Sequence, residues 1–292
     1  MTLLAATIIV FVTGRFSGDP ALLLVSTDAA NPAKVEQLRV ELGLNRPFPE
    51  QYALFLVGAL HGDFGRSFFS GQPVSDTVTS RIGPSITLSI VSVILALVIA
   101  IPGGVLAAVH RGTPFDAGIR LFAALGQAMP SFWLGLVLVL LFSVDLGWLP
   151  VAGADGPLNY VLPAFTIAWF ISAGVVRLLR SSMIELLSSD YVRFARSFGM
   201  SERGVIWTWA FPNALIPVIS FMGFMVSIIV AGSVVVEVIF AWPGLGRLSY
   251  DAVLERDFPV LQAVVLIWAA FVILVSWATD LLQGSVDPRV RA

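Results

Sequence analysis

Five long stretches of this chain contain no charged residue, and their length limits what the chain can fold into. They cover residues 84–109, 121–144, 156–176, 204–236 and 258–279. About 20 apolar residues in a helix suffice to cross the roughly 30 Å hydrocarbon core of a bilayer. Because hydrocarbon cannot hydrogen-bond to the backbone, such segments span as α-helices. The sequence therefore predicts an all-α integral membrane protein.

The spans divide the chain into three parts. Residues 1–14 are apolar but too short to cross alone, so we interpret them as a truncated first transmembrane helix; a short interfacial segment is the alternative. Residues 15–83 are predicted to form a small extracytoplasmic lobe, in which the spacing of apolar residues indicates a helix over 35–43. Residues 84–292 form the helical core, with spans predicted at 84–109, 118–144, 158–178, 209–238 and 258–281.

The composition excludes several classes of function. Charged residues make up 12% of the chain, against about 25% in soluble domains, and the net charge of −2 provides no basic surface for nucleic acid. With no cysteine and two histidines, no metal site is predicted. Lys34, the single lysine, lacks the neighbouring glycine and Ser or Thr of a phosphate-binding loop. If ATP drives this protein, another subunit binds the nucleotide.

The distribution of arginine predicts the orientation in the membrane. With six spans, the short loops on one side contain Arg247 and Arg256. The other side carries nine arginines, and short loops rich in arginine stay in the cytoplasm. Both termini are therefore predicted to be cytoplasmic, and the lobe to face outward. The nine arginines are Arg111, Arg120, Arg177, Arg180, Arg193, Arg196, Arg203, Arg289 and Arg291.

The predicted cytoplasmic loop 179–208 contains signals for a short helix. Ser189 or Asp190 can cap its start, and Gly199 can end it in the left-handed conformation. Ser201 can then cap a second helix that leads into the fifth span. Such a helix fits a groove on a partner protein or rests on lipid headgroups, and the pattern alone leaves both open. Helical spacing places Tyr191, Ala195 and Phe198 on one stripe of this helix. It places Arg193 and Arg196 on other faces.

This loop resembles the "EAA" loop of ABC importer permeases. Ala195 stands at the second alanine of that pattern, Gly199 at its glycine, and residues 209–212 at its Ile-x-Leu-Pro. Arg193 and Phe194 depart from the acidic residue and the first alanine. The run Asp-Tyr-Val-Arg-x-Ala-Arg is similar to the dipeptide, oligopeptide, glutathione and nickel permeases. Further similar segments follow in order at 18–20, 41–47, 62–67, 126–135, 213–217, 236–246 and 287–289.

The resemblance implies a type I importer permease with six spans and no catalysis of its own. Its partners would be the lipid bilayer, a second homologous permease, two ATPase subunits and an extracytoplasmic substrate-binding protein, in the bacterial or archaeal inner membrane. No cofactor is expected in this chain, since ATP and Mg belong to the ATPase. Di- or oligopeptides are the first substrate implied, then glutathione, then nickel chelates. The implied ATPase-docking residues are Asp190, Tyr191, Arg193, Ala195, Arg196, Phe198, Gly199 and Pro212.

Polar groups inside spans mark candidate positions on a translocation pathway, because they are costly in lipid and face protein or water. Gln127, Pro130 and Ser131 are candidates for the pathway itself or for a broken helix beside it, with helix–helix hydrogen bonding as the alternative. Glu237 follows a long uncharged stretch. It is interpreted as lining an outer gate or binding a polar end of the substrate, and the alternative is pairing with Arg247 or a neighbouring subunit.

Other classes of membrane protein fit less well. An ion-gradient-driven carrier or channel is the main alternative, but it would need charged residues deep in the spans. An intramembrane metalloprotease would need His-Glu-x-x-His, which is absent from the sequence. An intramembrane serine protease would need a histidine within a span, and neither histidine lies in one.

The absence of cysteine allows a direct test of orientation. A single thiol introduced by Glu202→Cys is expected to resist a membrane-impermeant thiol reagent added to intact cells, and to react after permeabilisation. Labelling in intact cells would contradict the predicted orientation.

Overall fold

The computed structural model describes residues 2–16, 21, 32–41 and 43–286. Within these ranges the regular structure is helical and contains no strand, which confirms the all-α prediction. The sequence signals at 18–20 and 287–289, with Arg289 and Arg291, lie outside the described residues. The α-helices are α1 (Thr2–Phe16), α2 (Pro32–Glu41), α3 (Phe48–Leu60), α4 (Val74–Val109), α5 (Pro114–Ala128), α6 (Ser131–Leu138), α7 (Val161–Leu187), α8 (Asp190–Ser197), α9 (Glu202–Gly204), α10 (Phe211–Ile239), α11 (Leu245–Leu254) and α12 (Phe258–Val286).

The number of membrane spans agrees approximately with the prediction. Among the described residues, four helical segments are long and apolar enough to cross a membrane: Val74–Val109, Pro157–Leu187, Glu202–Ile229 and Phe258–Gly284. The α5–α6 pair adds a fifth if it counts as one broken span. Helix α1 has 15 residues, which is about 22 Å of helix and shorter than the hydrocarbon core.

Two helices extend beyond their predicted spans. Helix α4 begins at Val74, inside the predicted lobe 15–83. Its first turns are helical although they carry the charged residues Asp76 and Arg81. Helix α7 continues to Leu187, so the first part of the predicted loop 179–208 is helical. Apolar length marks the part of a helix that lies in lipid, whereas polar residues continue the helix into water.

The chain forms two compact units, and the first comprises residues 1–85 and 243–272. In it, α1 packs on α3 through Phe11, whose ring contacts Phe48, Tyr52 and Phe55 at centroid distances of 5.2–5.5 Å. A separate apolar cluster joins the first turns of α4 to α11 and α12. Helix α2 ends as predicted, with Gly43 in the left-handed conformation at φ +65°.

A buried carboxylate fixes the loop that precedes α4. Asp257, 3% exposed, accepts hydrogen bonds from the Ser67 hydroxyl and, at 3.1 Å, from the Phe68 backbone N–H. These groups are 190 and 189 residues apart in sequence. Because a buried carboxylate needs donors, this contact holds the loop against the start of α12.

The second unit comprises residues 86–242 and 273–292, and α7 lies in its core. Small residues allow close helix packing. A Cβ added to Gly126 of α5 would lie 2.6 Å from the Ala173 Cβ of α7, and one added to Gly174 would lie 2.5 Å from the Phe221 ring of α10. Glycine at these two positions therefore sets the distances from α7 to its neighbours.

Helices α5 and α6 meet at a bend of 106°. Met129 is extended, with φ −86° and ψ 125°, and Pro130 immediately precedes α6. A proline disfavours the helical conformation in the residue before it and has no N–H to donate. This sequence therefore breaks the helix, as the pattern Gln127, Pro130 and Ser131 predicted.

We expect Asp257→Ala to lower the free energy of unfolding by about 1–3 kcal/mol, because buried donors lose their acceptor. The matched control is Asp251→Ala, which removes a half-exposed partner of Arg247 at 3.8 Å and is expected to cost about 0–1 kcal/mol. Thermal unfolding of the purified protein in detergent measures both. Equal midpoints for the two variants would contradict the role of Asp257.

Candidate functional site

The segment between α7 and α10 contains the short helix that the sequence predicted. Gly199 follows α8 in the left-handed conformation at φ +79°, and Ser201, the N-cap of α9, accepts a hydrogen bond at 3.3 Å from the Gly204 N–H. Both predictions are confirmed. Ser189 occupies the N-cap position of α8, but its side chain makes no capping bond, since its hydroxyl donates instead to the Leu186 carbonyl.

Arg196 connects three parts of this segment. Its Nε and Nη2 donate to the Glu202 carboxylate at 2.8 and 3.1 Å, and its Nη1 donates to the Leu187 carbonyl at 3.2 Å. Paired donors on a planar guanidinium hold a carboxylate in one orientation. Arg196 therefore links α8 to the end of α7 and to the start of α9.

The predicted stripe of α8 is partly buried and partly exposed. Val192 and Ala195 are buried, and Tyr191 stacks on Trp209 with a centroid distance of 6.3 Å. Phe198, predicted on the same stripe, follows the end of α8 at Ser197 and is 73% exposed.

An exposed aromatic pair lies at the end of α8. Phe194 is 60% exposed, and its ring lies 4.5 Å from that of Phe198. Sequence reasoning treated Phe194 as a departure from a motif, although two aromatic residues four apart were a visible signal.

The other predicted docking residues lie at the margins of this segment. The Asp190 side chain is fully exposed and lies 3.6 Å from Arg193. Pro212 is in the first turn of α10 and follows a π-helix over Val205–Ala210. π-Helical turns interrupt regular helices and occur often at functional sites.

A cavity of about 420 Å³ lies at the bend between α5 and α6; we call it the break cavity. It brings together the predicted pathway residues Gln127, Pro130 and Ser131 with Thr166 of α7 and Ser233 of α10. Apolar side chains form most of its remaining wall. A mainly apolar cavity with a few polar groups is the usual form of a small-molecule site.

Glu237, the fourth predicted pathway residue, does not line this cavity. Its side chain is 1% exposed, and it accepts a hydrogen bond at 3.2 Å from Ser233. Since Ser233 lines the break cavity, Glu237 contacts the cavity wall from behind.

A buried ion pair that the sequence did not reveal joins α5 to α7. Arg180 donates to both oxygens of Asp116, from Nε at 2.6 Å and from Nη2 at 2.8 Å. The Gly112 N–H donates to the same carboxylate at 3.0 Å, and Arg120 lies 3.8 Å away. The available signal was Asp116 itself, the one carboxylate in the sequence of α5.

Two family models together match most of the chain. Residues 100–292 match the binding-protein-dependent transport system inner membrane component, and residues 1–91 match the N-terminal part of such membrane components. A Brucella abortus protein, named as the permease of a peptide transport system, is 43% identical over 94% of this chain and 90% of its own length. The glutathione transport system permease protein GsiC of Escherichia coli is 38% identical over 99% of this chain and 95% of its own length.

Solved structures show the same fold at low sequence identity. An inward-facing MetNI methionine ABC transporter chain has a TM-score of 0.61 at 17% identity and covers 72% of this chain and 96% of its own length. A chain of an amino acid ABC transporter has a TM-score of 0.58, also at 17% identity, over 72% of this chain and 94% of its own length.

The family models and the relatives together give the class of protein, a membrane permease of a transport system. The chain belongs to the family of binding-protein-dependent transport system inner membrane components.

Proposed function

We propose that this chain forms half of the translocation pathway of an ATP-driven importer of small peptides. The substrate class is supported by two relatives, one named for peptide transport and one for glutathione, which is itself a peptide. The break cavity has mainly apolar walls with few polar groups, and such walls suit substrates whose side chains vary. The predicted nickel chelates have no support among these relatives.

The observation that carries this proposal is the geometry of α8. Its inner face is buried through Val192 and Ala195, while Phe194 and Phe198 are exposed. Exposed aromatic side chains that fill a pocket on a partner dominate many protein interfaces. A groove on an ATPase subunit is the partner surface that we assign to this pair.

The connections of α8 provide a route from the ATPase to the break cavity. Arg196 joins α8 to the end of α7 and the start of α9, and α9 leads through the π-helix into α10. Helices α7 and α10 both line the break cavity. A displacement of α8 would therefore move two walls of the cavity, as in the rocking of rigid units that opens transporters.

The partners and orientation follow from the same proposal. Two ATPase subunits hydrolyse ATP, so this chain catalyses no reaction. A second, homologous permease completes the pathway, and a binding protein delivers substrate from outside. The segment with α8 faces the cytoplasm, and residues 15–83 face outward.

Gly199→Val tests the coupling role of this segment. A β-branched residue in the left-handed conformation costs about 1–2 kcal/mol, and the turn after α8 relaxes away from φ +79°. We expect peptide uptake to fall at least about tenfold while the importer still assembles in the membrane and hydrolyses ATP.

Gly147→Val is the matched control for this variant. Gly147 also has a left-handed φ, at +65°, and like Gly199 it has open space where a Cβ would lie. It stands in the loop before α7, so the same strain should leave coupling intact. Uptake of radiolabelled dipeptide into proteoliposomes, compared with ATP hydrolysis, measures both variants. Normal uptake in Gly199→Val would contradict the coupling role.

A further inference from the structure

A second cavity, of about 590 Å³, lies between α5 and α7. Three guanidinium groups line it, those of Arg120, Arg177 and Arg180, together with Gln127 and Ser181. No carboxylate is among its lining residues. We call it the arginine cavity.

The arginine cavity shares part of its wall with the break cavity. Gln127 and Ala128 line both. From this shared wall the arginine cavity extends along α7 to Ser181. This direction leads toward the end of α7 that precedes α8. A molecule that leaves the break cavity toward α8 would therefore pass the three arginines.

The three arginines differ in their partners. Arg180 is held by Asp116 in a two-bond contact, so its position is fixed. Arg120 lies 3.8 Å from the same carboxylate and is 60% exposed. For the side chain of Arg177, the described part of the chain provides no ion pair or hydrogen bond. The cavity thus carries positive charge beyond what the Asp116 carboxylate neutralises.

We propose that the arginine cavity binds the carboxylate group of the transported molecule as it leaves for the cytoplasm. This inference rests on the proposed function, because peptides with a free C-terminus carry such a group. Guanidinium groups keep their charge at all physiological pH values and match the geometry of a carboxylate. Exposed arginines give weak binding, which suits a site that must release its ligand.

An anionic oxygen group could also come from a lipid headgroup, and the experiment separates the two sources. The importer, assembled with its partner subunits, is reconstituted in phosphatidylcholine vesicles with its ATPase side accessible. Ser181→Cys places a thiol in the cavity, and mass spectrometry follows the labelling of this chain alone. The reaction rates with an anionic and a cationic methanethiosulfonate reagent are compared.

Ser188→Cys is the matched control. Both serines are exposed residues at the same end of α7, and each hydroxyl donates to the carbonyl three residues before it, at 2.9 Å for Ser181 and 2.8 Å for Ser188.

We expect the ratio of the anionic to the cationic labelling rate to be higher at position 181 than at position 188. Adding Arg177→Gln should reduce that preference at 181 by at least about threefold, as expected for a lost neighbouring charge. Arg177→Lys should retain it, and Arg111→Gln, which alters an exposed arginine outside the cavity, should leave it unchanged.

Protection identifies the ligand. Alanyl-alanine should slow anionic labelling at position 181, whereas alanyl-alanine amide at the same concentration should not. Equal reagent preference at the two positions, or protection by the amide, would overturn the proposal. If phosphatidylglycerol slows anionic labelling at position 181 and alanyl-alanine does not, the site binds a lipid headgroup, and this result would also overturn the proposal. ATP-driven release of alanyl-alanine, enclosed together with the binding protein in vesicles of the same orientation, is measured separately. Release without protection rejects the site, and protection without release rejects the peptide-import function.

Discussion

Hydrocarbon offers the peptide backbone no hydrogen-bonding partner, and this shortage constrains the whole membrane part of the chain. Every apolar stretch must be helical, and a helix can break only where protein or water replaces the lost bonds. The α5–α6 bend at Met129 and Pro130 is such a break, and a cavity with polar groups at Gln127 and Ser131 lies beside it. The position of the break cavity thus follows from where the backbone leaves the helical conformation.

Close packing around α7 turns separate helices into a unit that can transmit movement. Gly126 and Gly174 allow α5 and α10 to approach α7 closely at its neighbouring residues 173 and 174, and the Asp116–Arg180 pair ties α5 to α7 nearer to α8. Removing one partner of a buried ion pair is costly because a charge is left uncompensated. This pair therefore keeps the two helices together at the end where the proposed ATPase would push.

Local signals in the sequence were sufficient for the all-helical class, the left-handed Gly199 and the break at Pro130, because each depends on adjacent residues. Contacts between distant residues were not predictable in this way. Nothing near Asp257 indicates that Ser67 will donate to it, and nothing near Asp116 indicates Arg180, since both pairs form only after helices pack. The exposure of Phe198 was not predictable from periodicity, because helix ends are set by caps and turns. The substrate has no local signature in the spans, and its class was inferred from relatives alone.

Co-purification tests the central claim most directly. The full chain, carrying a tag, would be isolated from gently solubilised membranes of its own host, and its stable partners identified by mass spectrometry. An ATPase and a second permease in stoichiometric amounts are the predicted result, since α8 leaves Phe194 and Phe198 exposed for a partner. A stable, monodisperse chain that recovers neither, yet still transports in vesicles without ATP, would contradict an ATP-driven importer and favour a carrier driven by an ion gradient.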